Sequence, residues 1–250
     1  MHLVVVNNSW MRRTLVAIVL VAAVLASTAS GRAVRAEHDC VRAGELSFFA
    51  ADNTKLVGHR FGKGTTAVIL AHQSEGDLCD WLPYARRLAS RGYFVFPMDF
   101  RGYGLSQRRT GAAATRFPSD LAAATKALRK LGKKKVFLVG ASMGGIASLA
   151  AGVSVKPAVD GVVSVSGPAR FRGMDALKSA PRLRVPVLYL AAEGDDNAGY
   201  DFSQDAEAMH AATAAADKRL EVLPGTLHGI ALIAGSARAR TAVETFVRGH

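Results

Sequence analysis

Lys135-Val136-Phe137-Leu138-Val139 runs straight into Gly140-Ala141-Ser142-Met143-Gly144, and the reading of that stretch decides the fold. The apolar run is short and continuous, the mark of a strand buried on both faces. Met143 to Val153 is rich in small residues and reads as a helix. A G-x-S-x-G pattern acquires meaning when it joins a buried strand to a helix. The serine then occupies a sharp turn, so its neighbours must be small. Gly140 and Gly144 let strand and helix approach, and Gly145 adds room. Such a turn projects Ser142 above the sheet. It also aims the first helical N–H, that of Met143, at a developing oxyanion.

Outward from this turn the period keeps changing between strand and helix. Upstream, Leu46–Phe49 and Lys55–Phe61 read as short edge-type strands, and residues 66–71 as a buried strand. Leu78–Arg91 has helical spacing with Gly92 as its stop, and Tyr93–Met98 is a strand. Ser119–Leu131 is a helix with Ser119 as cap and Gly132 as stop. Downstream, Val159–Val165 and Val185–Ala191 are strands, Ser203–Ala216 an Ala-rich helix, Leu220–Leu223 a strand and Arg238–Arg248 a closing helix. Alternation of this kind predicts an α/β fold with right-handed crossovers, a mostly parallel central sheet and helices on both faces. Half the residues are hydrophobic, which excludes general disorder, and 250 residues suit one α/β domain. The expected domain is 37–250.

Three further segments fall in step with the elbow. Leu70-Ala71-His72-Gln73-Ser74 ends the strand before the first long helix. Asp99-Phe100-Arg101-Gly102-Tyr103-Gly104-Leu105-Ser106 has the form D-x-R-G-x-G-x-S, and Pro224-Gly225-Thr226-Leu227-His228-Gly229 follows the last strand. Together with Ser142 these resemble the α/β-hydrolase superfamily over nearly all of the chain beyond residue 37. The resemblance implies an esterase- or lipase-like serine hydrolase with Ser142 as nucleophile. It implies an oxyanion hole from the Met143 N–H and a second N–H on the 72–74 loop, that of Ser74 or alternatively Gln73. Gln73 departs from the family's usual glycine. It further implies His228 as base, in the chain order Ser, acid, His. Counting from the end of the strand Val185–Ala191 puts Asp195 in the acid's place, with Asp196 the alternative. His72 reads as a loop-packing histidine, since one base is enough.

Other chemistries fit less well. There is no His-Glu-x-x-His or paired Cys-x-x-Cys for a metal, and the turn 101–106 lacks the Gly-Lys-Ser/Thr of a phosphate loop. No metal and no cofactor are expected. About 20 residues separate the strands ending near Val165 and starting at Val185, counting at ~1.5 Å of helix per residue. That is room for one short helix around Met174–Ser179 but not for a lid domain. The 167–184 insertion should therefore leave an open site suited to a small-molecule or lipid-like ester. An amide-cleaving or acyl-transferring relative, or a non-catalytic binding protein of the same fold, are the alternatives.

Charge and address complete the reading. Lys+Arg number 32 against 20 acids, a net +12. Residues 1–36 hold Arg12, Arg13, Arg32 and Arg35 and no acid, which leaves 28 against 20, a net +8, for the rest. The basic residues are scattered, and no nucleic-acid-binding motif accompanies them, so no nucleic-acid partner is expected. The insertion carries Arg170, Arg172, Lys178, Arg182 and Arg184 against Asp175 alone, a source of attraction to an anionic membrane surface. Met11-Arg12-Arg13 precedes a 12-residue apolar run, Leu15 to Ala26. A bilayer span needs about 20 residues, a signal peptide about 7–15. Residues 1–36 therefore read as an export signal cleaved between 29 and 36, with an uncleaved anchor as the alternative. Export places the protein in a periplasmic, secreted or cell-envelope setting. The only two cysteines, Cys40 and Cys79, then read as one disulfide.

Overall fold

A computed structural model describes residues 40, 41, 45–197 and 199–250. The leader reading, residues 1–36, lies outside the described residues. An eight-stranded sheet forms the centre, in the order β1-β2-β4-β3-β5-β6-β9-β12. Its strands are β1 (Glu45–Phe49), β2 (Lys55–His59), β3 (Thr66–Ala71), β4 (Phe94–Asp99), β5 (Lys135–Ala141), β6 (Gly161–Val165), β9 (Val187–Ala192) and β12 (Lys218–Leu223). From β4 to β12 every neighbouring pair is parallel, and only β1–β2 and β2–β4 are antiparallel.

The crossovers are α1 (Leu82–Ser90), entered through a 3₁₀ turn at Leu78–Trp81, then α2 (Phe117–Lys130), α3 (Met143–Ser154) and α5 (Phe202–Ala212). α6 (Gly229–Gly235) and α7 (Ala237–Gly249) close the chain. Alternation along the strands divides the core. On β3, Ala67 and Ile69 pack in one cluster with Leu121 of α2, Ile146 of α3 and Met209 of α5. Val68 and Leu70 face the other way, toward Leu88 of α1, Ile233 of α6 and Phe246 of α7. A strand covered on both faces has no polar side to show, which is why residues 136–139, after the exposed Lys135, read as one apolar run.

Boundaries moved where local signals competed. α2 starts at Phe117 with Arg116 before it, two residues ahead of the expected Ser119 cap, because Pro118 suits the first turn. α5 stops at Ala212 instead of Ala216: Thr213 turns out of the helix, and its hydroxyl bonds Met209 O at 2.7 Å and Tyr189 Oη at 2.6 Å. The expected strand 55–61 ends at His59, and Phe61 continues only as a single bridge to Val95. β2 is also an inner strand, paired on both sides. The helix α6 has no counterpart in the sequence reading.

The insertion after β6 contains a hairpin of β7 (Arg170–Phe171) and β8 (Met174–Asp175), then the one-turn helix α4 (Ala176–Ser179). A second hairpin, β10 (Asp196–Asn197) with β11 (Tyr200–Asp201), follows β9. Among the described residues no helix is long and apolar enough to cross a membrane.

Candidate active site

The elbow is built by steric necessity. Ser142 holds φ 50° and ψ −115°, a conformation that non-glycine residues adopt only where the surroundings enforce it. Its N–H donates to Val165 O of β6 at 2.8 Å, and its carbonyl accepts from Gly145 N at 2.8 Å and Ile146 N at 3.2 Å. A Cβ on Gly140 would sit 2.0 Å from Gly144 O, and one on Gly144 would sit 2.2 Å from Ala71 O. Only glycine permits either approach. The second also presses the end of β3 against the start of α3, so the 72–74 loop and the Met143 N–H meet at one place.

Asp195 and His228 come together from the next two strand ends. Glu193 N–H donates to Leu223 O at 2.8 Å and Gly194 N–H to Gly225 O at 2.9 Å, so the loop after β9 is stitched to the loop after β12. His228 Nδ1 lies 2.9 Å from Asp195 Oδ1 and 3.1 Å from Oδ2. With a carboxylate as acceptor, Nδ1 carries the proton and Nε2 is left as the basic nitrogen. Asp195 is 1% exposed, while the His228 side chain is 22% exposed. The Phe202 ring lies 4.3 Å from the imidazole and backs it. Asp196, the alternative acid, is exposed and starts β10, where it pairs with Asp201. Among the described residues no hydrogen bond joins Ser142 Oγ to His228. Such contacts are commonly loose before substrate arrives.

The 72–74 loop separates two roles that its sequence ran together. His72 is fully buried; its Nε2 accepts the Phe100 N–H at 3.1 Å, so its Nδ1 is the donor to Gln73 O at 2.7 Å. The ring packs edge-on to Phe100 and Tyr103, and burial holds its pKa below the ordinary histidine value. With both nitrogens occupied, His72 is a neutral strut. The backbone N–H groups of Gln73, Ser74 and Met143 have no protein acceptor among the described residues. The Gln73 side chain turns elsewhere: its Oε1 accepts the Ile230 N–H at 3.2 Å.

The glycine turn 99–106 is scaffolding. Asp99 accepts from Leu78 N at 3.0 Å and Leu105 N at 2.9 Å. Ser106 Oγ accepts from Val57 N at 2.9 Å and donates to Asp99 O at 2.8 Å. Arg101 is buried between Asp120 at 2.5 Å and Asp52 at 2.8 Å. Cys40 and Cys79 are bridged with their Cα atoms 5.9 Å apart, within the usual range. Cys79 lies in the 3₁₀ turn just past the 72–74 loop. No group of three His, Cys, Asp or Glu side chains among the described residues is arranged to hold a metal.

A family model described as serine aminopeptidase, S33, matches residues 63–174, a span that includes the 72–74 loop, the glycine turn and Ser142. No curated protein matches the chain by sequence. Among solved structures, the Pyrococcus furiosus esterase Pf2001 superposes with a TM-score of 0.69 at 18% identity, over 82% of this chain and 91% of its own. A thermophilic esterase from Thermogutta terrifontis gives 0.69 at 18% identity, over 83% and 99%. The monoacylglycerol lipase of Paleococcus ferrophilus gives 0.64 at 19%, over 78% and 99%. The chain shares the fold of these solved structures, and its residues 63–174 are similar to the serine aminopeptidase family model.

Within this fold, sequence reading missed three contributors around His228. The Gln73 side chain reaches Ile230. Ser166 Oγ accepts the Gly229 N–H at 3.0 Å, and Phe202 backs the imidazole. Ser166 and Phe202 sit in segments with no motif of their own, and nothing in Gln73's position announces a partner 157 residues away.

Proposed function

We propose that this hydrolase cleaves carboxylic esters through an acyl-enzyme on Ser142. The observation that carries the reading is the Asp195–His228 pair, at 2.9 Å, on the strand ends beside the strained Ser142 turn. His228 Nε2 takes the Ser142 hydroxyl proton as Oγ attacks the ester carbonyl, and returns it to the leaving alkoxide. Asp195 holds the imidazole with its proton on Nδ1 and stabilises the cation formed at the tetrahedral stage. The Met143 N–H, with that of Ser74 or Gln73, bonds the oxyanion. Water then repeats the cycle on the acyl-enzyme.

A small or lipid-like ester is supported by the setting. The insertion is a two-residue-strand hairpin and a single helical turn, too little to cover a site. Leu227, beside the base, is 43% exposed, and Tyr200 stacks on Phe202 at 5.5 Å, an apolar rim for an acyl or alkyl group. Of the insertion's basic residues, Arg170 and Lys178 share Asp175 at 3.3 and 3.8 Å, whereas Arg172, Arg182 and Arg184 are exposed and support peripheral attraction to an anionic membrane. The bridged cysteines support export, because such bonds persist in oxidising compartments.

The test is serine-directed fluorophosphonate labelling together with hydrolysis of p-nitrophenyl esters of increasing acyl length and of aminoacyl p-nitroanilides. Wild type is expected to label and to turn over esters. Ser142→Ala is expected to do neither, with a loss on the order of 10⁶-fold and an unchanged circular dichroism spectrum. Anilide turnover without ester turnover would establish the amide-cleaving reading, which the aminopeptidase description of the family model favours. Absence of both activities and of label would leave a binding protein.

A further inference from the structure

Helix α6 begins at Gly229, so the base itself is the N-cap residue. A helix start leaves several N–H groups without intrahelical acceptors, and an N-cap side chain usually bonds one of them. His228 makes no such bond, because its Nδ1 is committed to Asp195. The two N–H groups that follow it are bonded from elsewhere. Gly229 N–H donates to Ser166 Oγ at 3.0 Å, and Ile230 N–H donates to Gln73 Oε1 at 3.2 Å.

Both acceptors are anchored in the catalytic framework. Ser166 is fully buried at φ 49°, and its own N–H is fixed to Leu190 O at 2.7 Å. It follows Val165, whose carbonyl holds the Ser142 N–H. Gln73 belongs to the loop that supplies the second oxyanion donor. Its approach needs the glycine at 229: a Cβ there would lie 2.6 Å from Gln73 Oε1, at φ +55°. The base loop is thus tied to the nucleophile's neighbouring strand through one N–H and to the oxyanion loop through the next.

We infer that Gln73 and Ser166 are positioning residues that cap α6 in place of His228, freeing its imidazole for Asp195 and Ser142 while fixing its distance from the nucleophile and the oxyanion hole. The inference rests on the triad reading above. Loss of either acceptor leaves a backbone donor unsatisfied directly beside the base, and the ring drifts from its productive place. Misplacement of about 1 Å lowers turnover on the order of a hundredfold without weakening substrate binding in proportion.

Two measurements decide it. In ester kinetics, Gln73→Met, similar in shape but without the acceptor, and Ser166→Ala are expected to lower kcat about tenfold or more, with KM within about twofold. Gln73→Glu keeps an oxygen acceptor and is expected to recover most of the rate. Its added negative charge favours the imidazolium, so the acidic limb of the kcat/KM profile moves to higher pH. Wild-type kcat in both acceptor-less variants overturns the inference. So does a Gln73→Glu enzyme as slow as Gln73→Met with an unmoved acidic limb.

The second measurement needs no turnover. In a Ser142→Ala background, the low-field proton resonance of His228 Nδ1–H is followed by NMR. Broadening or loss in Gln73→Met and Ser166→Ala, with retention in Gln73→Glu, supports the positioning role. An unchanged resonance in all three overturns it. If wild type hydrolyses no ester, the esterase reading falls while this resonance still decides the role of the two residues.

Discussion

Two glycine-containing turns follow the strands that flank β3 in the same sheet and behave in opposite ways. In the turn after β4, Asp99 to Ser106, the side chains of Asp99, Arg101 and Ser106 are all engaged, each bonding backbone or a buried carboxylate. The turn after β5 keeps Ser142 at a strained φ of 50° with no hydrogen bond to the base. Both turns carried the family resemblance, yet one spends its polar groups on holding loops together and the other holds its serine in a strained conformation without a hydrogen bond to His228 among the described residues. A matched motif therefore identifies a fold, and hydrogen bonding shows which of its polar groups serve as scaffold. His72 belongs with the first group despite lying beside the oxyanion loop.

Substitutions in the two regions should differ in kind. The largest effect is expected on the reactive side. Asp195→Asn leaves the bond to Nδ1 but favours the wrong tautomer, so kcat falls on the order of 10⁴-fold with little change in melting temperature. Asp196→Asn, on the exposed hairpin, should stay within about threefold of wild type, since surface changes away from the site are mild. Steady-state kinetics on the purified pair checks this, and the reverse ranking would move the acid to Asp196.

On the scaffold side the loss is one of stability. Arg101→Met strands the buried Asp120 and leaves Asp52 with the exposed Arg116 at 3.9 Å. Breaking a buried pair from one side costs about 3–5 kcal/mol. Urea unfolding should show that loss, while kcat of the protein still folded stays near wild type. A selective fall in kcat at unchanged stability would erase the distinction between the two turns.

The smallest effect is a pH dependence. The Asp52 carboxyl lies below the usual range, first because Arg101 donates to it and then because Thr54 does. A carboxyl depressed in the folded state adds stability above its unfolded pKa of about 3.9. That stability is lost as pH falls from there toward the folded value. Asp52 is partly exposed, so the contribution is on the order of 1 kcal/mol. Asp52→Asn should flatten the acid side of the stability curve below about pH 4 and leave neutral activity unchanged. An unaltered acid limb, followed by thermal unfolding between pH 2 and 6 (approximate bounds about the carboxylate range), would show that Arg101 acts through Asp120 alone.

The fold was legible because its signals are local. A strand buried on both faces has to be apolar at each position, so residues 136–139, 94–98 and 187–191 announce themselves one after another. An elbow needs small residues within a few positions of its serine, so Gly140, Ser142 and Gly144 stand together in the chain. Resemblance to a family pattern, not a local signal, then carried the reading to His228. Local signals failed where two competed, as at Pro118 against Ser119. They failed again at Gly229–Gly235, where seven apolar and glycine residues form a helix whose cap lies in other loops.

The amino-acid sequence by itself determined the α/β class and the place of the Ser142 turn, because each depends on spacing between near neighbours, while Asp195 and His228 were named through the family resemblance. Tertiary structure alone decided that Asp195 and not Asp196 meets His228. It also decided that Arg101 is enclosed by Asp52 and Asp120, and that Gln73 and Ser166 hold the start of α6. Those pairings span 33, 49, 19, 157 and 63 residues. Over such distances a side chain's partner is set by the packing of strand ends and loops, which no spacing along the chain records.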